Sequence, residues 1–265
     1  MKPALQGELL GQGGSAEVYA WGETLVVKLF RPQYAYAAEL EARRARLVHA
    51  AGVRAPAVSE LVFVDGRPGI LYERVPGPLL WQRIREQEEA APAVGQLLAE
   101  LHLELHQYQV PELEPWTALR VSAEQRLPES ERALFRTQAE RVPPGGALCH
   151  GDFHPGNVIM GRSPVIIDWV NACSAHPALD VARSFMVMRY HGLRPPRPES
   201  TGRSVRIRRA LTDAYLQHYL AIGDVTREQV VACQPLCASA MLRSEPENVA
   251  RSELEQIATS GVTAS

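Results

Sequence analysis

A proline–glycine–proline break at Pro76–Pro78 divides the 265-residue chain into two parts with different patterns. Before the break, short apolar and β-branched runs alternate with turn residues, which predicts an antiparallel sheet. After the break, leucines recur at helical spacing, as at Leu97, Leu98, Leu101 and Leu105. The sequence therefore predicts an α+β fold, with a small antiparallel-sheet lobe that contains one helix and a larger, mainly helical lobe.

We expect an N-terminal lobe over residues 1–75 and a C-terminal lobe over residues 76–265, joined by a hinge at about 73–78. The predicted order of the first lobe is β-β-β-α-β-β, with its helix over about 34–51. The last residues, 258–265, are predicted to be a frayed tail. Ligands commonly bind in a cleft between two such lobes. Further helices are predicted at about 177–191, 204–221 and 226–241.

Composition argues against several classes of protein. A formal net charge of −2 gives no field that would attract nucleic acid or an anionic membrane. We see no signal peptide and no apolar run long enough to cross a bilayer, and we expect a cytoplasmic protein. A monomer or homodimer is expected. The cysteines lack the paired spacing of a structural zinc site and predict reduced thiols, some of them buried. They are Cys149, Cys173, Cys233 and Cys237.

The block HGDFHPGN, residues 150–157, is the strongest functional motif. Its Asp152 is followed five residues later by Asn157, and Asp168 comes eleven residues beyond that, after the apolar run PVII. A carboxylate can orient an incoming hydroxyl and accept its proton, while amide and carboxylate oxygens can hold Mg²⁺ on phosphates. The combination predicts phosphoryl transfer, although Asp168 alone is explained equally well as the end of a strand.

Two features of the strand-rich part fit the same chemistry. Lys28 interrupts the apolar strand LVVKLF, and a buried lysine needs a phosphate or an acid as its partner. Glu41 is preferred to Glu39 as that acid, because it shares a helical face with small apolar residues. A glycine-rich loop precedes this strand and can bring backbone amides close to phosphate, although such hairpins are common without one. Its candidate residues are Gly11, Gly13, Gly14 and Ser15.

Together these segments resemble the aminoglycoside phosphotransferase and choline kinase-like family, a branch of the protein-kinase-like fold. LCHGDFHPGN resembles the catalytic loop of that family, VIIDW its metal-binding strand end, and LVVK the strand of the nucleotide-binding lysine. EARRARLVHAAGVRAP resembles the helix that carries the glutamate partner of the lysine, which again selects Glu41. The resemblance extends from about Gly7 to Arg189.

The resemblance implies a role for each residue of these motifs. Asp152 would be the catalytic base, and Asn157 and Asp168 would hold Mg²⁺. Lys28, held by Glu41, would contact the phosphates of ATP, with GTP as the alternative nucleotide. The glycine-rich loop would cover those phosphates.

The same resemblance assigns a hinge strand to LYERV. There the Glu73 carbonyl and the Val75 amide would meet adenine, with Tyr72 at the gate. His154 occupies a position where the small-molecule kinases of this group often have histidine. Asp180 would brace the catalytic loop, although an acid favoured by a helix N-terminus explains it nearly as well. For His102 and His106 we expect a packing role in an apolar helix rather than metal ligation.

Only WVNACSAHPAL separates Asp168 from Asp180, which leaves little chain for a peptide-binding platform. The sequence therefore predicts an ATP-dependent phosphotransferase that acts on a hydroxyl of a small molecule: an aminoglycoside, sugar, amino alcohol or related metabolite. The basic segment around 194–209 is interpreted as a solvated helix face. The alternatives are a pseudokinase-like nucleotide-binding protein, a protein Ser/Thr kinase, and a hydrolase built on Asp152 and His154.

Overall fold

The computed structural model describes residues 7–192, 198–245, 247–248 and 250–260. Its first compact unit combines the residues up to Leu80 with the segment Gly156–Ala172. Its second unit combines Trp81–Pro155 with the chain from Cys173 onward. The lobe limits and the hinge stay predictions. The inclusion of Gly156–Ala172 in the first unit is a feature that the linear pattern does not reveal.

A five-stranded antiparallel sheet in the order β1-β2-β3-β5-β4 forms the base of the first unit, as predicted. Val27 and Leu29 of its third strand pack into a buried cluster on one face. Because side chains alternate along a strand, Lys28 between them points to the opposite face. The strands are β1 (Leu9–Gln12), β2 (Ala16–Trp21), β3 (Leu25–Phe30), β4 (Val58–Val64) and β5 (Arg67–Glu73).

The turn between β4 and β5 is the predicted Asp65-Gly66 pair. Asp65 has a φ of 50° and Gly66 a φ of 79°, so both are left-handed. Consecutive left-handed residues are the requirement of a two-residue type I′ hairpin turn, whose twist matches that of the strands.

The predicted helix of the first unit is α1 (Ala37–Ala50), shorter at its start than expected because Pro32–Tyr34 forms a separate 3₁₀ turn. Its buried face is rich in alanine, including Ala38, Ala42 and Ala45, so the helix backbone can approach its neighbours closely. Glu41 lies on this buried face. The helix therefore brings a carboxylate inward, where only a paired or hydrogen-bonded charge is tolerated.

A short hairpin completes the first unit, in which β7 (Val158–Met160) pairs with β8 (Pro164–Ile166). The backbone of this hairpin binds two earlier segments, since Met160 N–H donates to the Pro78 carbonyl at 2.8 Å and Ile166 N–H to the Arg54 carbonyl at 2.8 Å. These bonds explain why the segment belongs to the first unit.

The second unit is mainly helical, and the two-stranded pair β6 (Ala147–Cys149) and β9 (Cys173–Ala175) accompanies its helices. The helix over 226–241 is confirmed and starts with a capping box between Thr226 and Gln229. The helices are α2 (Leu80–Glu86), which begins at the end of the first unit, α3 (Ala91–Leu105), α4 (Trp116–Gln125), α5 (Glu129–Glu140), α6 (Pro177–Tyr190), α7 (Pro198–Ile222), α8 (Arg227–Ser244) and α9 (Arg251–Thr259).

Part of the predicted tail is wrong. Ala258 and Thr259 belong to α9, and Ala258 is buried. The tail residues 261–265 lie outside the described residues. The four cysteines are free thiols and all are buried. Within the described part of the chain, no helix combines the length and apolarity needed to span a bilayer.

Candidate active site

Lys28 of β3 bridges two carboxylates of the first unit. Its Nζ lies 2.7 and 2.8 Å from the two Glu41 oxygens and 3.0 Å from Asp168 Oδ1. Glu41 is 1% exposed. Burial alone would lower the pKa of Lys28, but the charges of Glu41 and Asp168 outweigh it and raise that pKa above its ordinary value. The lysine is therefore a fixed cation, and Glu41 is its partner rather than Glu39.

Two further bonds hold this cluster together. The Tyr72 hydroxyl donates to Glu41 Oε1 at 2.9 Å, so the residue expected at the gate binds the lysine's partner. Arg44, one turn after Glu41 on α1, donates to the Val170 carbonyl just beyond Asp168. The helix thus orients both the carboxylate and the segment that follows the predicted metal ligand.

Asn157 and Asp168 lie at the same end of the β7–β8 hairpin. Val158 pairs with Ile166, and the Asn157 carbonyl accepts from Ile167 N–H at 3.0 Å. Asp168 has a φ of 69° and a ψ of 67°, a left-handed conformation that is rare outside glycine and that costs about 1–3 kcal/mol. Such strain is typical of functional positions. An amide and a carboxylate at adjoining positions form a hard-oxygen set that suits Mg²⁺.

The glycine-rich loop connects β1 to β2 and is closed by its own backbone. Gly13 N–H donates to the Ala16 carbonyl at 2.9 Å, and Arg31 N–H donates to the Ser15 carbonyl at 2.9 Å. Gly14 is exposed, and a side chain added there would meet no atom within 4 Å. Gly11 pairs with Val18 next to a bulge in β1.

In the second unit, the block around Asp152 follows β6 and is held by Asp180 of α6. The Asp180 carboxylate accepts the N–H groups of His150 and Gly151, the latter at 2.8 Å. Gly151 has a φ of 77°, which glycine adopts without strain. Asp180 is buried, so these bonds agree with the bracing role that the family resemblance implies.

Two buried histidines hold Asp180 in turn. The Nε2 atoms of His102 and His106 lie 3.0 and 3.4 Å from Asp180 Oδ2, while their Nδ1 atoms lie 2.7 Å from the hydroxyls of Tyr215 and Tyr219. Every ring nitrogen of the two histidines thus has a hydrogen-bonding partner, while their packing role stays a prediction. Burial raises the pKa of Asp180, but the bonds and charges of the two histidines outweigh it and lower that pKa well below its ordinary value.

Asp152 is 29% exposed at its side chain and has basic neighbours on both oxygens. His154 Nε2 lies 3.7 Å from Oδ2, and Arg183 Nη2 lies 3.7 Å from Oδ1. Burial tends to raise the pKa of Asp152, but the hydrogen bond and charge of His154, with the charges of Arg183 and His150, lower it to about 2. The carboxylate is therefore ionised at neutral pH.

The two residues expected to meet adenine lie at the end of β5 and just beyond it. Glu73 is the last residue of β5 and is exposed, and Val75 lies two residues further in the connection to the second unit. Sequence reasoning missed Arg183 and Arg44. Arg183 carried one available signal, its position three residues after Asp180 on the same predicted helix.

Comparisons with known proteins agree on the fold. The type VIII aminoglycoside-3′-phosphotransferase is 20% identical, with a TM-score of 0.62 over 88% of this chain and 92% of that one. A thermostable mutant of APH(4)-Ia in complex with AMP-PNP and hygromycin B is 15% identical, with a TM-score of 0.56 over 97% of this chain and 94% of that one. APH(2″)-IIa in its ternary complex with streptomycin and ATP is 16% identical, with a TM-score of 0.52 over 98% of this chain and 88% of that one. This likeness confirms the predicted protein-kinase-like fold.

A search of curated protein sequences found no match. A family model, by contrast, matches residues 6–228, which is most of the chain and includes every residue of the predicted site. The match covers the glycine-rich loop, Lys28, the Asp152 block and Asp168, and it ends at the start of α8. The chain therefore belongs to the phosphotransferase enzyme family.

Proposed function

We propose that this protein is a small-molecule kinase that transfers the γ-phosphoryl group of ATP to a hydroxyl, with Asp152 as the base. The observation that carries the proposal is the Lys28 bridge to Glu41 and Asp168. A fixed lysine beside a carboxylate that adjoins Asn157 is an arrangement suited to nucleotide phosphates and Mg²⁺. Structural neighbours in complex with ATP, AMP-PNP or GDP support nucleotide binding, with GTP as the alternative to ATP.

Asn157 and Asp168 would hold Mg²⁺, which supplies charge neutralisation for the phosphates when bound. Lys28 would contact the same phosphates, with Glu41 keeping its Nζ in place. Gly11, Gly13, Gly14 and Ser15 would cover the phosphates, and Glu73 and Val75 would meet the base of the nucleotide. His154, next to Asp152, would add a further phosphate contact.

Asp152 would accept a hydrogen bond from the acceptor hydroxyl and then its proton. The acceptor oxygen forms the new bond to the γ-phosphorus while the bond from that phosphorus to the leaving oxygen of ADP breaks. With a pKa of about 2, Asp152 is a weak base. It can orient the hydroxyl throughout and take the proton late, when the loose transition state has made the hydroxyl acidic.

A small acceptor is favoured by the segment that follows Asp168. A 3₁₀ turn over Trp169–Asn171 and the strand β9 occupy it, and α6 begins at Pro177. Trp169 is buried and its indole N–H donates to the Ile166 carbonyl at 3.1 Å. The whole segment is thus used for structure, which favours a small molecule over a peptide substrate.

The test is a coupled ATP-consumption screen across aminoglycosides, sugars, amino alcohols and nucleosides in the presence of Mg²⁺. With the acceptor that responds, we expect Asp152→Asn to lower kcat by about 10²–10⁴-fold and to leave ATP affinity nearly unchanged. Asp213→Asn is the matched control, because that carboxylate is exposed on α7 and pairs with Arg189.

Full turnover by Asp152→Asn would show that another group is the base. Equal loss of activity in the Asp213 variant would point to a general effect on folding. Turnover of a substrate in the absence of ATP would favour the hydrolase alternative.

A further inference from the structure

Helix α6 binds both backbone hydrogen-bonding groups of Gly151, which belong to the two successive peptides on either side of its Cα. Asp180 accepts the Gly151 N–H at 2.8 Å, and Arg183, three residues later on α6, donates from Nε to the Gly151 carbonyl. Gly151 directly precedes Asp152 in the chain, so the peptide whose orientation is fixed here is the one from which the Asp152 backbone continues.

The guanidinium group of Arg183 also extends to the carboxylate itself. Its Nη2 lies 3.7 Å from Asp152 Oδ1, a distance for an ion pair rather than a hydrogen bond. Arg183 is 37% exposed at its side chain, so solvent and small solutes can reach it.

A planar guanidinium group can make both contacts because its donors have a fixed relative geometry. One nitrogen fixes the backbone while another sets the direction of the carboxylate. A lysine at this position would keep the charge but could not donate to two acceptors in the same geometry. A role in packing alone would require neither contact, since both involve the head group rather than the aliphatic stem.

We propose that Arg183 is a positioning residue for phosphoryl transfer: it fixes the Gly151 carbonyl and thereby the direction in which the Asp152 carboxylate meets the acceptor hydroxyl. This inference rests on the proposed function, because it takes Asp152 as the group that receives that hydroxyl. A displacement of about 1 Å at a reacting group can cost about 10²-fold in rate.

The test compares Arg183→Ala and Arg183→Lys with Arg189→Ala as control. Arg189 lies on the same helix but binds Thr212 and Asp213. Hydrogen exchange is measured on peptides covering residues 149–154 and on peptides from α6, and kcat and KM are measured with the acceptor found in the screen. Millimolar guanidinium chloride is then added to Arg183→Ala.

For Arg183→Ala we expect faster exchange confined to residues 149–154, a kcat lower by roughly 10²-fold, and a nearly unchanged KM for ATP. Guanidinium should restore part of kcat, and Arg183→Lys should recover less than the wild-type rate. Arg189→Ala should match the wild type in loop exchange and in kcat.

Wild-type exchange in the loop of Arg183→Ala would overturn the proposal, and so would faster exchange throughout α6, which indicates a structural role. The exchange arm needs no substrate. If the wild type phosphorylates none of the acceptors, the proposed function fails, whereas the loop exchange still decides whether Arg183 positions this peptide.

Discussion

Tyr72 illustrates how one hydroxyl supports the buried charges of the first unit. It donates to Glu41 Oε1 at 2.9 Å, while Lys28 binds both oxygens of the same carboxylate. We expect Tyr72→Phe to lower the free energy of unfolding by about 1.5–3 kcal/mol, because a buried bond to a charged group is lost. KM for ATP should change little, since Lys28 keeps its partner.

Tyr19→Phe provides the matched control for this change. The Tyr19 hydroxyl donates to Glu17 at 3.3 Å in a partly exposed position of the same sheet, so its loss should have a smaller effect. Urea unfolding of the two variants measures the difference. Equal losses of unfolding free energy in the two variants would show that burial of Glu41 does not strengthen its hydrogen bond with Tyr72.

His102 gives the fold a dependence on pH. Burial, followed by the effect of His106, lowers its pKa to about 4, from 6.5 in an exposed histidine. Between these values the unfolded chain takes up a proton that the folded chain does not. The contribution of His102 to the free energy of unfolding is therefore fully present above pH 6.5 and is lost as the pH falls towards 4. The total loss is about 3 kcal/mol.

Urea unfolding at several pH values between 7.5 and 4.5 measures this loss. His102→Gln should be less stable at neutral pH, because it disturbs the bonds to Asp180 and Tyr215, but its stability should fall less steeply with acid. Identical slopes for the variant and the wild type would show that other groups, such as His176, cause the acid sensitivity.

Helix contacts at the scale of elements depend on glycine as well as on apolar stripes. A side-chain carbon added at Gly95 of α3 would lie 2.4 Å from the Leu211 carbonyl oxygen and 2.9 Å from the Tyr215 nitrogen on α7. Both are backbone atoms, so the helices would have to move apart. We expect Gly95→Ala to destabilise the protein by about 1–3 kcal/mol, although alanine is the better helix former.

Gly202→Ala is the same substitution on α7, at an exposed position where the added carbon would come no closer than 3.8 Å to the Arg206 side chain. It should stabilise the protein by about 0.5–1 kcal/mol. Thermal unfolding of both variants tests the opposite signs. A stabilising Gly95→Ala would mean that the close approach of the two helices is not required.

The elements could be predicted from sequence where a local signal exists. The hairpin at Asp65-Gly66 and the helix that starts at Thr226 follow from turn and cap residues, which act over a few positions. Helix α9 was missed in part because the end of the chain was interpreted as frayed, whereas Leu254 and Ala258 are buried by tertiary packing. Such packing overrides local propensity and leaves no local signal.

At the scale of the whole molecule, the candidate site was inferred from sequence because the proposed phosphoryl transfer needs particular residue types in a characteristic order. Lys28 and Asp168 are 140 residues apart in sequence, yet their 3.0 Å contact agrees with the role implied for each. The return of Gly156–Ala172 to the first unit was not predictable, because its cause is backbone bonding to Pro78 and Arg54. Backbone hydrogen bonds of this kind do not depend on the side chains and therefore give no sequence pattern.

The whole chain should be stabilised by its nucleotide. A ligand that binds only the folded state adds about 2.7 kcal/mol at a concentration of 100 Kd, so ATP with Mg²⁺ should raise Tm in proportion to its binding. Asp168→Asn should remove most of the part that requires Mg²⁺, because one charged oxygen ligand is replaced by an amide. ATP with EDTA gives the metal-independent part for both proteins.

Asp65→Asn is the matched control for that variant, since Asp65 is also a non-glycine residue of positive φ but lies in the β4–β5 turn. Asparagine tolerates that conformation, so this variant should respond to ATP and Mg²⁺ as the wild type does. If the Tm of the wild type with ATP were the same in Mg²⁺ and in EDTA, the metal role of Asp168 would be contradicted. An equal response in Asp168→Asn would assign the metal to other ligands, because binding to the folded state would then not depend on this carboxylate.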